Sequence, residues 1–434
     1  MSHSIEKVAL HTLGCKLNFS ETSTIARGFS NKGFSIVKNF ENANIHIINT
    51  CSVTEKADKK AKKIINKIIQ TSDNPYITVL GCYAQLKPNE IANIKGVNLI
   101  IGDKEKLNVV DHVLYNYNKD SLKIIHSSIN QSTNFNSSYS MNDRVRSYLK
   151  IQDGCDYPCT YCTIPKARGK SRNDSIDNIL NNIKVLEKNN ISEIVITGVN
   201  IGDYGRTSNG YNLYKLLDKI NESSSISRFR ISSIEPNLLT KEIIEFMRDS
   251  NKFLPHFHIP LQSGNNKILR LMKRKYDSKM YKNKIQMIKE IIPEACIGAD
   301  VIIGFPNESD DDFNITYNFI DNLKINYLHV FSYSNRNGTV ASEMNNQIPQ
   351  EIKILRSRSL QKLSNKMRFN FYKRNINKTR KVLFESKFDD NYLVGFTDNY
   401  IRVFVNGNKN MINKIFNVKL LFIGEEDRMF GEVI

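Results

Sequence analysis

Three cysteines in one short segment constrain the fold of this chain more than any other feature. Cys155, Cys159 and Cys162 stand in the run CDYPCTYC, with the spacing C-x3-C-x2-C. Because so few residues separate them, one loop carries all three thiols and they can share one metal centre. A structural zinc site needs four closed ligands, whereas a cubane iron–sulfur cluster held by three thiolates keeps one iron open for another ligand. The spacing therefore favours an iron–sulfur cluster.

The residues that flank this loop add positive charge to it. QDGC precedes the loop and TIPKARGKSR follows it, which brings Arg168, Lys170 and Arg172 beside a thiolate-rich centre. Guanidinium and ammonium groups bind anions through short, charge-assisted hydrogen bonds, so this charge suits an anionic cluster. Two alternatives remain open: a zinc knuckle completed by His256 or His258, and reduced thiols that hold no metal.

Composition indicates a cytoplasmic protein with an anionic partner. The 434 residues contain no apolar run near the roughly 18 residues of a membrane span, and the start lacks a signal-peptide core. Seven cysteines without a secretory signal indicate reduced, metal-binding thiols. We therefore expect a cytoplasmic protein with no membrane partner. The formal charge of +18 favours a polyanion, although Lys, Asn and Ile are abundant throughout the chain, which gives that charge modest weight.

The first 118 residues predict a doubly wound α/β domain with its own cysteine site. Apolar runs at 7–13, 44–49 and 76–80 predict buried strands, separated by segments of helical periodicity. Each strand is followed within two residues by a cysteine: Cys15, Cys51 and Cys82. Because the carboxyl ends of parallel strands share one edge, we expect these thiols to form a second metal site. Inert core cysteines are the alternative.

A polar stretch at 119–140 predicts a surface linker to a central domain at 141–375. Six strand candidates in that domain alternate with helical segments. They lie at 147–152, 193–199, 228–233, 256–261, 298–305 and 327–333. Six such units predict an open (βα)6 barrel, with its active face at the carboxyl ends of the strands. Cys296 has no partner at ligand spacing, so we expect it in the core.

The last part of the chain predicts a basic helix and a small β-barrel. Residues 351–380 hold ten Lys or Arg against one Glu, interleaved with Leu, Phe and Tyr. A helix of this composition is a candidate RNA-facing element; the alternative is a solvated helix that packs its apolar stripe on the barrel. Short alternating strands within 376–434, separated by Gly, Asn and Asp turns, predict a small closed β-barrel.

These motifs together resemble the methylthiotransferases of the radical S-adenosylmethionine (SAM) superfamily. The resemblance rests on both cysteine triads, on Tyr161 before the last thiol of the loop, and on the strings TLGCKLNFSET, NTCSVT, GCYAQ, SSIEP, IPLQSG, ADVIIGFP and YS-x-R-x-GT. The last segment resembles a TRAM domain, an RNA-binding barrel. LGCKLN, GVNIGDYG and GFTDNYIRV are most similar to the branch that acts on threonylcarbamoyladenosine in tRNA. Two departures, Asn337 and GFPNES, are expected to alter turns and no ligand.

The resemblance implies two [4Fe-4S] clusters that work with SAM. It implies that the Cys155, Cys159 and Cys162 cluster cleaves SAM to a deoxyadenosyl radical, and that the cluster on the other triad carries the sulfur. Residues and resemblance together name further candidates for SAM binding: Tyr161, Gly198, Asn200, Glu235, Gln262 and Gly304. Turns and helix caps are an equal alternative for the last five of these. The implied enzyme is a monomer that needs an external electron donor and a sulfur source.

The implied reaction inserts a methylthio group at carbon 2 of threonylcarbamoyladenosine next to the tRNA anticodon. Acid–base side chains cannot functionalise an unactivated aromatic C–H bond, which favours radical chemistry. Two alternatives use the same chemistry on isopentenyladenosine in tRNA or on an aspartate of a ribosomal protein. A third, of a different class, is a non-catalytic metal-stabilised RNA-binding protein, which iron content and SAM cleavage would distinguish from an enzyme.

Overall fold

The chain divides into two compact units. The structure, a computed structural model, describes residues 6–38, 42–117, 119, 121–129, 134–141, 145–206, 211–389 and 391–434. Unit 1 comprises Met1–Ser140, Tyr148–Asp174 and Ser334–Thr339, and unit 2 comprises Met141–Ser147, Ser175–Tyr333 and Val340–Ile434. Both cysteine triads therefore belong to unit 1. No helix in the described part of the chain is both long and apolar enough to cross a membrane.

Unit 1 is built on a parallel sheet of six strands in the order β2-β1-β3-β4-β5-β6. The strands are β1 (Lys7–Thr12), β2 (Ser35–Val37), β3 (Ile45–Thr50), β4 (Tyr76–Gly81), β5 (Val97–Ile101) and β6 (Lys123–Ile125). The helices are α1 (Lys16–Asn31), α2 (Glu55–Thr71), α3 (Cys82–Leu86), α4 (Pro88–Ala92) and α5 (Val109–Asn116). The three predicted strands are β1, β3 and β4.

Alternation of side chains along the strands fills two hydrophobic layers in unit 1. Ile45 and Ile47 of β3 pack with Phe29 of α1 on one face of the sheet, and Ile48 packs with Ile65 of α2 on the other. Successive strand residues point to opposite faces, so a strand covered on both sides reads as a continuous apolar run. The doubly wound architecture is confirmed.

The predicted linker at 119–140 contributes strand β6 to the sheet of unit 1. β6 pairs in parallel with β5, and its three residues lie within a polar stretch, so periodicity gave no signal for it. Residues 120 and 130–133 of this linker lie outside the described residues. A further short strand from the same stretch, β7 (Ser138–Tyr139), pairs with β8 (Arg146–Lys150).

The remaining elements of unit 1 enclose the Cys155 loop. β9 (Gln152–Asp153) and β10 (Arg172–Asn173) pair as an antiparallel ribbon. The chain between them carries the three cysteines and the short helix α6 (Ile164–Arg168). A two-stranded base of this kind brings the two ends of the cysteine loop together.

Unit 2 continues the predicted alternation of helices and strands. Its helices are α7 (Ile176–Lys188), α8 (Leu213–Ser223), α9 (Lys241–Asp249), α10 (Asn266–Leu271), α11 (Ser278–Ile291) and α12 (Asp310–Leu323). Its strands are β11 (Glu193–Thr197), β12 (Phe229–Ile231), β13 (His256–His258), β14 (Cys296–Ile303) and β15 (Tyr327–Ser332). β11 pairs in parallel with β12, and β13, β14 and β15 form a parallel sheet. All six predicted strands of the central domain are present, the first as β8. β13 covers only the first three of its six predicted residues, although the N–H groups of Ile259 and Leu261 still donate to β14 at 2.9 and 3.1 Å.

Side-chain caps fix where the helices of unit 2 begin. Each capping residue accepts a hydrogen bond from a backbone N–H of the first helical turn. These caps are Ser175, Asn212, Thr240, Asn265, Asp277 and Ser309. Asn307, in the GFPNES string, has a φ of 65°, a left-handed conformation that Asn tolerates better than most residues.

Unit 2 ends in a long helix and a closed barrel. α13 (Gln350–Lys373) leads to β16 (Thr379–Asp389), β17 (Tyr392–Thr397), β18 (Arg402–Val405), β19 (Ile415–Ile423) and β20 (Met429–Val433). The barrel closes in the order β16-β17-β18-β20-β19, as predicted for a TRAM domain. Cys296 is buried in the same hydrophobic cluster as the barrel interior, which agrees with a core role.

Candidate functional site

The loops that carry Cys15, Cys51 and Cys82 approach one another closely at the carboxyl edge of the sheet. Gly14 has a φ of 104°, and a β-carbon added to it would lie 2.5 Å from Cβ and 3.0 Å from Sγ of Cys51. Gly81 has a φ of 93°, and an added β-carbon would lie 2.7 Å from the carbonyl oxygen of the residue before Cys51. Glycine adopts such conformations without a steric penalty. The two glycines therefore let the cysteine loops come together.

Burial dominates the chemistry of these thiols. Desolvation raises the pKa of Cys51, and the neighbouring Cys15 thiol adds to the rise. Burial raises the pKa of Cys82 to about 12. Thiolates form in such surroundings when a metal replaces the proton. All seven cysteines lie in the described part of the chain and none forms a disulfide, so the three thiols are available to a metal.

Asn18 joins the ends of the first two cysteine-bearing strands. Its Nδ2 donates to the carbonyl oxygens of Leu13 at 2.7 Å and Thr50 at 3.1 Å, and its Oδ1 lies 3.6 Å from Sγ of Cys15. The side chain is buried. No role was predicted for this residue from the sequence, because nothing in the sequence around an Asn indicates bonds to two strand ends.

The Cys155 loop is held tightly at its base. The N–H of Cys155 donates to the carbonyl of Gly169 at 3.0 Å, and a β-carbon on Gly154 would lie 2.0 Å from the carbonyl oxygen of Lys170. Within the loop, the N–H of Tyr157 donates to Sγ of Cys155 at 3.4 Å. Hydrogen bonds to a sulfur stabilise its thiolate form, so this loop is prepared for metal-bound sulfur.

A buried network of charged side chains lies in the same unit as the two cysteine triads. Glu21 pairs with Lys106 at 2.7 Å, Lys150 at 3.2 Å and Arg168 at 3.0 Å, and Asp153 pairs with Lys150 and Arg168 at 3.3 and 3.0 Å. Burial alone would raise the pKa of both carboxyls, but Arg168 and the lysines hold it well below its ordinary value. Both acids are therefore ionised.

Arg168 differs in environment from the other cations after the loop. The sequence places Arg168, Lys170 and Arg172 together beside the Cys155 loop. Arg168 is buried and donates to Oδ1 of Asn18 at 2.7 Å, next to Cys15 of the other triad. Lys170 is exposed. From the sequence, the charge of Arg168 was assigned to the Cys155 loop alone, but the side chain also lies beside the Cys15 triad.

A residue far along the sequence completes the surroundings of Cys51. Arg336 donates to Oγ of Ser52 at 2.6 Å and to Oδ2 of Asp58 at 2.8 Å. It belongs to the YS-x-R-x-GT string, whose residues from Ser334 to Thr339 lie in unit 1 although they follow most of unit 2 in sequence. The motif was noticed in the sequence, but its pairing with the Cys51 loop was not predicted.

Unit 2 carries five of the predicted SAM contacts just beyond the carboxyl ends of its strands: Gly198, Asn200, Glu235, Gln262 and Gly304. The N–H before Glu235 donates to the last residue of β13 at 3.0 Å, and the carbonyl of Gln262 accepts from β14 at 2.9 Å. The last three therefore lie at one edge of adjoining strands, where parallel barrels hold their ligands. Tyr161 is half-buried within the cysteine loop of unit 1. The ligand roles of these residues and of the six cysteines stay predictions.

Gln262 and Glu235 have the features of ligand-binding side chains. Gln262 has a φ of 62°, a conformation that costs about 1 kcal/mol or more for a residue with a side chain. Its buried Oε1 has no hydrogen-bond partner among the described residues. Burial raises the pKa of Glu235, which forms a close ion pair with Arg274. Strain and an unsatisfied polar atom both indicate a site that a ligand completes.

Gly304 has a structural role that the sequence did not reveal. A β-carbon on Gly304 would lie 2.4 Å from Cγ of Lys353, and its N–H donates to Oε1 of Glu308 at 2.9 Å. Arg356 of α13 binds the same carboxylate oxygen at 2.6 Å. The glycine is required where the turn after β14 packs against α13.

His258, Asp300 and His329 form a cluster on three adjacent strands of unit 2. One oxygen of Asp300 lies 2.9 Å from Nε2 of His258 and 3.3 Å from Nδ1 of His329. Nδ1 of His258 lies 3.1 Å from the hydroxyl of Tyr327. Both ring nitrogens of His258 therefore have partners in unit 2, which argues against its service as the fourth ligand of a zinc knuckle.

Two sequence families match segments of the chain. The Radical SAM superfamily matches residues 149–320, which contain the Cys155 loop. Uncharacterized protein family UPF0004 matches residues 7–102, which contain Cys15, Cys51 and Cys82. Each cysteine triad thus falls within one matched segment.

Similarity to full-length relatives decides the family. The chain is 36% identical over 430 residues to the threonylcarbamoyladenosine tRNA methylthiotransferase MtaB of Bacillus subtilis, covering 96% of this chain and 94% of that protein. The chain belongs to the radical SAM methylthiotransferase family. This methylthiotransferase is also 32% identical over 394 residues to the tRNA-2-methylthio-N(6)-dimethylallyladenosine synthase of Thermodesulfovibrio yellowstonii, covering 90% of each chain.

A solved structure supports the fold of this methylthiotransferase. TsrM, a radical S-adenosylmethionine methyltransferase from Kitasatospora setae with cobalamin and a [4Fe-4S] cluster bound, has a TM-score of 0.57. The match covers 78% of this chain and 77% of that chain at 10% identity. At this identity the likeness concerns the fold alone.

The residues of this methylthiotransferase fit the cofactors of its family. Radical SAM methylthiotransferases are enzymes that use SAM and two [4Fe-4S] clusters. The chain offers two separate sets of three cysteines. The loops of the Cys15 set come together at glycines, and in the Cys155 loop a backbone N–H donates to sulfur. The buried cations beside them suit anionic clusters.

Proposed function

We propose that this chain inserts a methylthio group at carbon 2 of threonylcarbamoyladenosine next to the tRNA anticodon. Similarity over nearly the whole length of the Bacillus subtilis MtaB protein carries the proposal. The relative that acts on dimethylallyladenosine is less similar, at 32% identity. The dimethylallyl type, to which isopentenyladenosine belongs, is therefore the second candidate.

We assign the two cysteine sites separate tasks. Cys155, Cys159 and Cys162 hold the cluster that binds SAM, and Cys15, Cys51 and Cys82 hold the cluster that carries sulfur. When bound, these groups supply a deoxyadenosyl radical at the first site and a transferable sulfur at the second. The protein orients them: the β9–β10 ribbon closes the first loop, and Gly14, Gly81 and Asn18 bring the second triad together.

Gln262 and Glu235 are the SAM contacts that the geometry supports best. The unsatisfied Oε1 of Gln262 can accept a hydrogen bond from SAM, and its backbone is held on both sides by β14. Glu235 is fixed by Arg274, so its carboxylate keeps one orientation. Gly304 acts through the turn that it shapes, because its N–H is already bonded to Glu308.

The exposed face of α13 and the surface of the small barrel are the proposed tRNA contacts. Phe422 is 54% exposed and stacks on Phe430 at 5.1 Å, while Arg402 and Arg428 lie over Phe404. An exposed ring such as Phe422 is suited to stacking on unpaired bases, whereas the Phe404 ring is buried beneath the two guanidinium groups. Arg356, which belongs to the basic residues of this helix, is buried against Glu308 and is excluded as a phosphate contact.

The proposed reaction also implies external donors and a cellular location for the enzyme. The proposed enzyme draws electrons and sulfur from external donors, because its own side chains supply neither. We place it in the cytoplasm, where tRNA is modified, and expect it to act as a monomer. A ribosomal protein aspartate remains an outcome that the test below can reveal.

The proposal is tested with reconstituted enzyme, SAM, a reductant, and two tRNAs that differ in the base next to the anticodon. One carries threonylcarbamoyladenosine and the other isopentenyladenosine. We expect mass spectrometry of the nucleosides to show methylthio addition to the first alone. Addition to the second alone would transfer the assignment to the dimethylallyl branch, and addition to neither would favour a protein substrate.

A further inference from the structure

Arg168 links the two cysteine sites of unit 1 through its neighbours. It is the last residue of α6, the helix that follows the Cys155 loop, and the next residue, Gly169, accepts the N–H of Cys155 at 3.0 Å. The guanidinium extends to Asn18, whose Oδ1 accepts from it at 2.7 Å. The same oxygen lies 3.6 Å from Sγ of Cys15. A single buried residue therefore connects the first thiol of one triad with the loop of the other.

The packing of α6 also connects the Cys155 loop with the other triad. α6 packs against α3, the short helix that begins at Cys82. Cys82 therefore lies on the helix that packs against the helix of Arg168, and the guanidinium reaches Cys15, the first thiol of the triad, through Asn18.

The charged network around Arg168 contains one cation more than its anions. Among the described residues, its ion pairs join three buried carboxylates, Glu21, Asp103 and Asp153, to four cations, Lys106, Lys150, Arg168 and Arg172. An excess charge in a buried network is costly unless an opposite charge lies nearby. A cubane cluster on three thiolates carries net negative charge, so the network suits such a cluster at the Cys15 triad.

We propose that Arg168 is the positioning residue of the sulfur-carrying cluster. It holds Asn18 against Cys15, ties the triad to the Cys155 loop through α6, and places a positive charge beside the cluster. This inference rests on the proposed assignment of that cluster to Cys15, Cys51 and Cys82. Net charge and hydrogen bonding set the reduction potential of an iron–sulfur cluster, so Arg168 raises the potential of this one.

Three variants of the full-length holoenzyme separate charge from position. Arg168→Gln removes the charge and keeps a hydrogen-bonding side chain. Arg168→Lys keeps the charge, but one ammonium cannot bridge Asn18, Glu21 and Asp153 as a guanidinium does. Lys150→Met is the matched control: Lys150 is equally buried and pairs with the same two carboxylates, but Asn18 is bonded to Arg168 instead.

The measurement is a redox titration followed by electron paramagnetic resonance, without tRNA, together with iron and sulfide content. The signal that does not change on addition of SAM identifies the sulfur-carrying cluster. We expect Arg168→Gln to shift the midpoint potential of that cluster to a more negative value. Arg168→Lys should keep a potential near that of the wild type but bind less of that cluster. Lys150→Met should shift the potential less than Arg168→Gln does, and should leave the cluster content unchanged.

Two results would overturn the inference. One is an unchanged potential in Arg168→Gln with full cluster content; the other is an equal shift in Lys150→Met, which would mean that the whole network sets the potential. If Arg168→Gln loses only the SAM-independent cluster while the control retains both, the positioning role is supported. A wild-type protein with no SAM-independent cluster would contradict the cysteine assignment itself, which is a distinguishable failure.

Discussion

Gly14 shows how little space the N-terminal cysteine site leaves. A methyl group on its α-carbon would lie only 2.5 Å from Cβ of Cys51, which is closer than two carbon atoms can approach without a bond. The sequence identified the three cysteines from their places after predicted strands. The sequence could not show that the glycine is needed for the close approach of the loops, because this glycine contacts a cysteine 37 positions away in a different loop.

Replacing Gly14 with Ala is expected to remove the N-terminal cluster. The added β-carbon would meet Cys51 at 2.5 Å and the backbone φ of 104° would be strained. Gly33→Ala is the control, since Gly33 has a φ of 87° and nothing lies within 4 Å of an added β-carbon. Iron and sulfide content should fall by about half in Gly14→Ala and stay unchanged in Gly33→Ala. Equal losses would show that backbone strain alone is responsible.

Replacing Cys155, Cys159 and Cys162 with Ala is expected to abolish SAM cleavage. The three thiols belong to one loop, so their removal leaves no ligands for the SAM-binding cluster. The N-terminal cluster should still assemble, because its loops are held by Asn18 and by glycines of the sheet. Formation of deoxyadenosine is the readout, and normal formation by the triple variant would refute the assignment.

The converse variant, with Cys15, Cys51 and Cys82 replaced by Ala, should uncouple the two half-reactions. SAM cleavage to deoxyadenosine is expected to continue, while no methylthiolated nucleoside accumulates. The test compares both products in one reaction by mass spectrometry. Methylthiolated product at the wild-type level would mean that the sulfur does not pass through this site.

At the scale of elements, α13 shows both the reach and the limit of sequence reasoning. Composition predicted a basic helix over 351–380, and the structure has a helix at Gln350–Lys373. The number of charged residues could not show which of them lie on the buried side of the helix and which on the exposed side. Lys353 and Arg356 are buried toward the turn after β14, whereas Arg358, Lys362 and Lys366 are exposed. One side of the helix is packed on the barrel, as the second alternative holds, and the exposed side carries the charges on which the RNA-facing prediction rests.

Neutralising the exposed side of α13 should weaken tRNA binding in a salt-dependent manner. We expect Arg358, Lys362, Lys366 and Lys373 replaced by Gln to reduce the slope of log K against log salt by roughly 0.7 to 0.9 for each phosphate that is no longer neutralised. SAM cleavage without tRNA should not change. The binding constant is measured by fluorescence anisotropy at several salt concentrations.

A matched control for this helix is available on α2. Lys56, Lys60, Lys63 and Lys67 are also exposed lysines on one helix, and their replacement by Gln removes the same charge. We expect a smaller change in the slope than for α13. If both variants change the slope equally, binding responds to total charge and α13 has no special contact with tRNA.

For the molecule as a whole, most strands could be predicted from the sequence, but the way in which the elements pack together could not. Continuous apolar runs identified β1, β3 and β4 of unit 1 and the strands of the central domain, because strands covered on both faces lack polar positions. β2 and β6 were not predicted, because each has only three residues and most of them are exposed. β5, a largely buried and mostly apolar run of five residues, was not predicted either. The run from 392 to 405 reads as one strand candidate, yet a turn divides it into β17 and β18.

Long-range pairing of charged residues was the least predictable feature. Glu21 and Arg168 are separated by 147 residues, and Arg336 and Ser52 by 284. No periodicity links such positions, since pairing depends on how the sheet and loops come together in three dimensions. The cysteines were predictable because their chemistry is rare, whereas the ions that surround them use common residue types.

The most direct test of the account is a nucleoside analysis of tRNA from a strain that lacks this chain. We predict that 2-methylthio-threonylcarbamoyladenosine disappears and threonylcarbamoyladenosine accumulates. The wild-type chain should restore the modification, and the variants without either cysteine triad should not. Disappearance of the methylthio group from isopentenyladenosine instead, or an unchanged tRNA profile, would contradict the proposed function.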